Sequence, residues 1–182
     1  MFSKFLNFFS ENVEYKDTGD IYSTFIKYFG GKEFGEGLFR VFREEDTIIW
    51  ERNVAEAYPQ FKNLFRLFAY DWLGRCFGID LRNGTSGHIL IFEIGTNDVL
   101  EIDCELLEFL NEEIPGYSDA CLASDYYKKW LRYSKKPVQK DRCIGYKIPL
   151  FLGGVDQIDN LEDSNMDVYW HIIAQIRRNN GL

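Results

Sequence analysis

The segment NLFRLFAYDWLGRCFGIDLRNGTSGHILIFEIGTNDVLEID, residues 63–103, decides the fold of this chain. It holds four short runs rich in β-branched and aromatic residues: LFRLFAYD, RCFGIDL, HILIFEI and VLEID. The connections WLG, NGTSG and GTND are made of residue types that favour tight turns. Strands joined by tight turns pair with their neighbours in the antiparallel sense. The segment therefore predicts an antiparallel meander, and YDWLGRCFGID at residues 70–80 predicts a hairpin within it.

Apolar residues on both sides of the meander recur at helical spacing. Helices are predicted within residues 2–9, 20–31, 44–58, 105–114, 124–136 and 164–181, the last one beginning with a capping box of Ser164 and Asp167. Further strands are predicted within residues 35–42, 144–154 and 157–165. In the second of these, Pro149 and the terminal glycines indicate an edge strand that leads into a loop. The sequence thus predicts an α+β fold with a central, mostly antiparallel sheet flanked by helices. We expect one domain over residues 1–182, with an N-terminal helix and lead-in at 1–19 and a division near residue 116 before a helical C-terminal part.

Composition narrows the choice of partners. The chain has 182 residues, of which 46% are hydrophobic, so it can bury a substantial core. Its formal net charge of −8 opposes direct binding of nucleic acid, which requires clustered Lys and Arg, and favours a basic protein surface. The four cysteines form no CxxC pair, which is typical of a reduced, cytoplasmic chain. No apolar run approaches the ~20 residues of a membrane span, so no membrane association is expected.

Charge is distributed in blocks along the chain. Residues 93–125 contain ten acidic residues and no Lys or Arg, whereas residues 128–147 contain eight basic residues and only Asp141 against them. A second acidic block follows at Asp156, Asp159, Glu162, Asp163 and Asp167. Such blocks can form separate solvated faces or one functional patch, and the order of residues does not decide between them.

The motifs that mark enzymes are missing from the sequence. Neither His88 nor His171 stands in HExxH, and GxSxG does not occur; the glycine clusters lack the GK[ST] of a phosphate-binding loop. DQIDNLEDS, residues 156–164, lacks the central Gly and terminal Glu of a calcium loop. We therefore expect a binding protein without catalytic residues, cofactor or metal. An enzyme of unrecognised type, for example one using a pair of carboxylates, stays as an alternative.

Four segments together resemble a known family. They are GLFRVFREEDTIIWERNV, FRLFAYDWLGRCFGIDL, ILIFEIGTNDVLEIDCELLEFLNEEI and IPLFLGGVDQIDNLEDSNMDVYWHIIAQI. Their order is similar to that in the C-terminal domain of bacterial immunity proteins that neutralise DNase effectors of the type VI secretion system. The resemblance covers roughly residues 20–178 and implies a stoichiometric inhibitor of a cognate toxin. A non-catalytic interaction or regulatory domain of the same fold, without a toxin target, is the second interpretation.

A DNase cleft is basic because it holds phosphates, so we expect an inhibitor of that kind to have an acidic face with aromatic anchors. The candidate contact residues are the hairpin-tip residues Asp71 and Trp72, the turn residue Asp98, and the later acids Asp156, Asp159, Glu162 and Asp163. Two alternatives concern the hairpin tip. Trp72 can fold back onto the sheet, and Asp71 can pair with Arg75 across the turn.

Overall fold

In a computed structural model that describes residues 1–85 and 87–181, the centre of the molecule is a six-stranded sheet. Its strands lie in the order of the sequence, and each pairs with its neighbours in the antiparallel sense. They are β1 (Glu33–Phe34), β2 (Phe39–Val41), β3 (Phe65–Asp71), β4 (Cys76–Asp80), β5 (Ile89–Glu93) and β6 (Asp98–Ile102). The predicted α+β class and the meander are confirmed, and the two-residue strand β1 extends the sheet beyond the prediction.

Three helices precede or interrupt the first half of the sheet: α1 (Ser3–Phe8), α2 (Ile21–Phe29) and α3 (Glu44–Ala57). The carboxylate of Asp20 caps α2 by accepting a hydrogen bond from the Ser23 N–H at 2.7 Å. Rings from α1 and α2, including Phe5 and Phe25, pack in one core cluster, whereas Val54 of α3 belongs to a second. All three helices lie where the sequence predicts them.

The two core clusters lie on opposite faces of the sheet. Along β5, Ile89 and Ile91 belong to the first cluster, and Leu90 and Phe92 to the second. This alternation follows from the two-residue period of a strand, and it means that β5 is buried on both faces. Helices therefore have to cover both sides of the sheet.

Further helices come from the chain after β6. A continuous helical stretch consists of α4 (Leu106–Glu108), a π-helical turn (Phe109–Glu113) and α5 (Ile114–Gly116), and it is followed by α6 (Ser118–Leu122) and α7 (Ser124–Ser134). A two-stranded antiparallel sheet, β7 (Arg142–Tyr146) with β8 (Leu161–Asn165), precedes the last helix, α8 (Met166–Asn179). Short 3₁₀ turns at Pro59–Phe61, Leu150–Leu152 and Ile158–Asn160 complete the elements.

Three boundaries differ from the prediction. The helical stretch predicted to end at Ile114 continues through Pro115 and ends at Gly116. The strand predicted over residues 144–154 ends at Tyr146, and the remainder is a loop. The cap of α8 is Asn165, whose side chain accepts from the Val168 N–H at 3.1 Å, because Ser164 is still paired with Cys143 in the sheet.

Candidate partner-binding surface

The tip of the β3–β4 hairpin is buried. Asp71 has no exposed surface, and its carboxylate accepts from the Arg75 Nε at 2.7 Å and from the backbone N–H groups of Leu73 and Arg75, both at 3.0 Å. Arg75 also donates to the Cys121 carbonyl at 3.0 Å, which ties the turn to α6. Burial by itself would lower the pKa of Arg75, but the charge of Asp71 holds that pKa above its ordinary value. The two charges thus form a compensated pair inside the molecule.

Trp72 is also fully buried. Its indole N–H donates to the Leu122 carbonyl at 2.9 Å, and its ring packs against Tyr126 and Tyr127 of α7 with centroid separations of 5.6 and 5.0 Å. Of the sequence alternatives, the structure has the folded-back Trp72 and the Asp71–Arg75 pair. The prediction that Asp71 and Trp72 contact a partner is therefore corrected, because neither side chain presents surface to one. The hairpin itself is confirmed.

The two acidic blocks meet at the turn between β5 and β6. The Leu150 N–H donates to the Gly95 carbonyl at 2.9 Å, which holds the loop after β7 against this turn. Burial raises the pKa of Glu93, Arg75 opposes this shift, and the negative charges of Asp71, Asp98 and Asp156 add to it. Asp98 belongs to the first acidic block and Asp156 to the second. The fold thus brings together carboxylates that the sequence separates by about 60 positions, and it favours one patch over separate faces at this place.

Glu162 joins the same group from β8. It lies directly opposite Gly145 in the β7–β8 pair. The ring of Tyr169 packs so closely against Gly145 that a Cβ on Gly145 would be 2.4 Å from a ring carbon. Burial raises the pKa of the Tyr169 hydroxyl, and the charges of Glu93 and Glu162 add to the shift. We call Glu93, Asp98, Asp156 and Glu162 the acidic cluster. Glu93 is half-buried and the other three are exposed.

The remaining two candidates differ from the cluster. Asp163 forms an ion pair with Arg142 at 2.6 Å, which compensates its charge. Asp159 is exposed, and its backbone carbonyl accepts from the Lys147 ammonium at 2.7 Å. Several acids of the first block are compensated in the same way: Glu101 by Arg82, Glu112 by Lys4 and Asp125 by Lys128. Three of the predicted residues, Asp98, Asp156 and Glu162, thus belong to the acidic cluster, and Glu93 joins them although it was not predicted.

Sequence reasoning missed the exposed aliphatic side chains next to this cluster. In the loop between β7 and β8, Ile148 is 55% exposed, Leu152 43% and Val155 56%. The prediction for IGYKIPLFLGG, residues 144–154, is an edge strand leading into a loop, and it does not indicate which of the apolar residues face solvent.

Features that would indicate an enzyme are few in the described part of the chain. His88 lies 3.0 Å from Asp103 and 3.3 Å from Glu101, whereas His171 is exposed on α8. A groove of about 200 Å³ between β2 and the first turns of α3 and α8 has both Lys140 and Asp141 in its wall, and no Ser, Cys or His lines it. Over residues 1–85 and 87–181, no group of three or more His, Cys, Asp or Glu side chains is arranged to hold a metal ion. None of the helices described there is long and apolar enough to cross a bilayer.

The C-terminal part of the chain matches a known family model. Residues 112–177 match the family model described as T6SS immunity protein Tdi1, C-terminal. This segment matches a type VI secretion immunity family. The match confirms the resemblance noted in the sequence over these residues. The Tdi1-type segment contains α6, α7, β7, β8 and nearly all of α8, and with them Asp156 and Glu162 of the acidic cluster.

A solved structure extends the likeness of the fold over nearly the whole chain. The crystal structure of Atu4351 from Agrobacterium tumefaciens has a TM-score of 0.63 with this protein and is 18% identical to it. The likeness covers 96% of this chain and 89% of that one. At this identity it shows a common fold. Comparison with the curated proteins gives no significant match.

Proposed function

We propose that this protein is an immunity protein that binds a cognate secreted nuclease toxin and inhibits it stoichiometrically. The observation that carries this proposal is the match of residues 112–177 to the C-terminal model of the T6SS immunity protein Tdi1. We further propose that residues 1–182 act as one domain in the cytoplasm, where an incoming nuclease would meet DNA. Inhibition by occlusion requires no catalytic residue, cofactor or metal on the inhibitor.

Electrostatics supports a nuclease as the target. A nuclease binds phosphates with a basic cleft, and the net charge of −8 of this chain attracts such a surface while it repels nucleic acid. Within the acidic cluster, Asp98, Asp156 and Glu162 are exposed and can face the basic cleft. Opposite charges across an interface accelerate association, and added salt weakens the effect. We therefore expect an association rate that falls steeply as ionic strength rises.

The test is co-expression of a tagged copy with the protein encoded by the adjacent reading frame. We expect purification on the tag to give a one-to-one complex that does not cleave DNA. After the two chains are separated in denaturant and refolded, the partner should cleave DNA, and one equivalent of this protein should stop the cleavage. An unrelated protein of equal net charge is the control for simple masking of a basic enzyme. Absence of a complex, together with absence of protection of cells from the partner, would contradict the proposal and favour an interaction domain without a toxin target.

A further inference from the structure

The loop between β7 and β8, residues 147–160, projects three aliphatic side chains into solvent while two others anchor it. Leu150 packs against the first core cluster and Phe151 against the second. Ile148, Leu152 and Val155, which flank these anchors, are 43–56% exposed. Single exposed aliphatic residues are ordinary, but three on one anchored loop form a local apolar surface.

One buried side chain fixes the ends of this apolar surface. The Asn160 amide nitrogen donates to the carbonyls of Ile148 and Val155 at 2.8 and 2.9 Å, and its oxygen accepts from the Ile148 N–H at 3.0 Å. Gly154 closes the loop so tightly that a Cβ would lie 1.9 Å from the Ile148 carbonyl oxygen. The backbone that carries Ile148 and Val155 is therefore fixed before any partner arrives. Such preorganisation lowers the entropic cost of binding.

Acidic groups border the same loop, and its single Lys, Lys147, donates to the Asp159 carbonyl at 2.7 Å. Asp156 follows Val155 directly and is held by the Tyr146 hydroxyl at 2.9 Å. Asp98 is close because the Gly95 carbonyl of its turn accepts from the Leu150 N–H. An apolar centre with a charged border is the usual anatomy of a protein–protein interface. The charge of the border selects a partner whose facing surface is basic.

We propose that this loop, with Ile148, Leu152 and Val155 at its centre and the acidic cluster at its border, is the surface that docks onto the basic face of the toxin. The inference rests on the proposed function and adds the place and chemistry of the contact. Two observations select this loop: the charge on its border, and its position inside the Tdi1-type segment. Ile48 on α3 is more exposed, at 74%, but the groove beside it is lined by both signs of charge, Glu51, Arg52, Glu56 and Lys62. That groove gives no preference for a basic partner.

The test compares affinities for the toxin encoded by the adjacent reading frame, using the full chain. The loop variant is Ile148→Ser with Leu152→Ser and Val155→Ser. Its matched control is Ile48→Ser with Ile172→Ser, which removes exposed aliphatic residues from α3 and α8. We expect the loop variant to bind about 100-fold more weakly, as loss of an interface centre does, and the control to bind like the wild type. A variant with Asp98→Asn, Asp156→Asn and Glu162→Gln should associate more slowly and lose most of the salt dependence.

Each outcome bears on the inference. If the wild type binds the toxin and the loop variant binds equally well, the loop is not the docking surface, although the proposed function stands. If the wild type does not bind, the proposed function and the inference fail together. If the triple variant melts early, the single variant Val155→Lys replaces it in the test. This substitution places a positive charge against the basic face of the toxin and should weaken binding. Unchanged affinity of Val155→Lys at an unchanged Tm would overturn the inference.

Discussion

Among single residues, Asp71 carries the largest expected effect on stability. Its carboxylate neutralises Arg75 in a site with no exposed surface on the acid and 6% exposure of the whole Arg75 residue. Asp71→Asn would leave the guanidinium charge uncompensated in the interior. We expect the free energy of unfolding to fall by about 3–5 kcal/mol, as it does when one partner of a buried ion pair is removed. Urea unfolding of the wild type and the variant at neutral pH measures the difference.

The matched control for Asp71→Asn is Asp98→Asn, the same chemical change at an exposed acid. We expect it to alter the free energy of unfolding by no more than about 0.5 kcal/mol, because solvated side chains contribute little. Equal effects of the two substitutions would show that the Asp71–Arg75 pair does not stabilise the folded state. The turn composition alone gave no sign of this difference, since Asp is common in exposed turns as well as in buried ones.

Among the elements, the β7–β8 loop is held in its conformation by the side chain of Asn160. Asn160→Asp keeps the shape of the residue but replaces the amide donor with an oxygen facing the carbonyls of Ile148 and Val155. We expect a loss of about 1–3 kcal/mol in the free energy of unfolding, because buried carbonyls lose their donor. Faster hydrogen exchange of the Ile148 amide, which donates to the Asn160 oxygen in the wild type, should accompany it.

Asn12→Asp, at an exposed position outside the helices and strands, is the control for the added negative charge. If Asn160→Asp leaves both the stability and the exchange of the Ile148 amide at their wild-type values, then the amide does not hold the loop. The strand predicted within residues 144–154 ends at Tyr146, because the N–H and C=O of Ile148 bind the Asn160 side chain and not the backbone of a neighbouring strand.

At the scale of the whole molecule, the burial of Glu93, to which the nearby acids add, makes stability depend on pH. Its pKa is raised mainly by burial, so the folded state holds a proton more tightly than the unfolded state. Stability from this group is therefore full below the ordinary pKa of 4.5 and is lost as pH rises through the higher folded value. We expect Glu93→Gln to be more stable than the wild type at neutral pH and to show a flatter curve of unfolding free energy against pH.

Chemical denaturation at several pH values from about 4 to 8 measures this curve. Glu108→Gln, which removes one exposed carboxylate from α4, controls for the change in net charge. If the unfolding free energies of Glu93→Gln and the wild type run parallel over the whole pH range, the ionised Glu93 carboxylate does not destabilise the folded state. The prediction that residues 1–182 form one domain belongs to this scale too. It is supported by both core clusters sharing the strands of one sheet.

The sequence by itself determined the elements that depend on near neighbours. The meander, the helices α1 to α3 and α8, and the burial of Phe5 and Leu106 follow from spacing along the chain. Turn residues and apolar periods act over a few positions, so they can be interpreted without knowledge of the rest of the molecule. The order of the segments also carried the resemblance to the immunity family, which the match over residues 112–177 confirmed.

Only the tertiary structure decided which polar and apolar residues meet solvent. Asp71 and Trp72 are buried because α6 and α7, some 50 positions later, close over the hairpin tip through Cys121 and Leu122. The charge of Asp156 acts on Glu93 in a fold whose β7–β8 loop lies against the β5–β6 turn, where the Leu150 N–H donates to the Gly95 carbonyl. The free energy of a charge depends on everything packed around it, and those neighbours come from distant parts of the chain. For that reason Asp71 and Trp72 leave the predicted contact set, whereas the exposed acids at and near the β7–β8 loop stay in it.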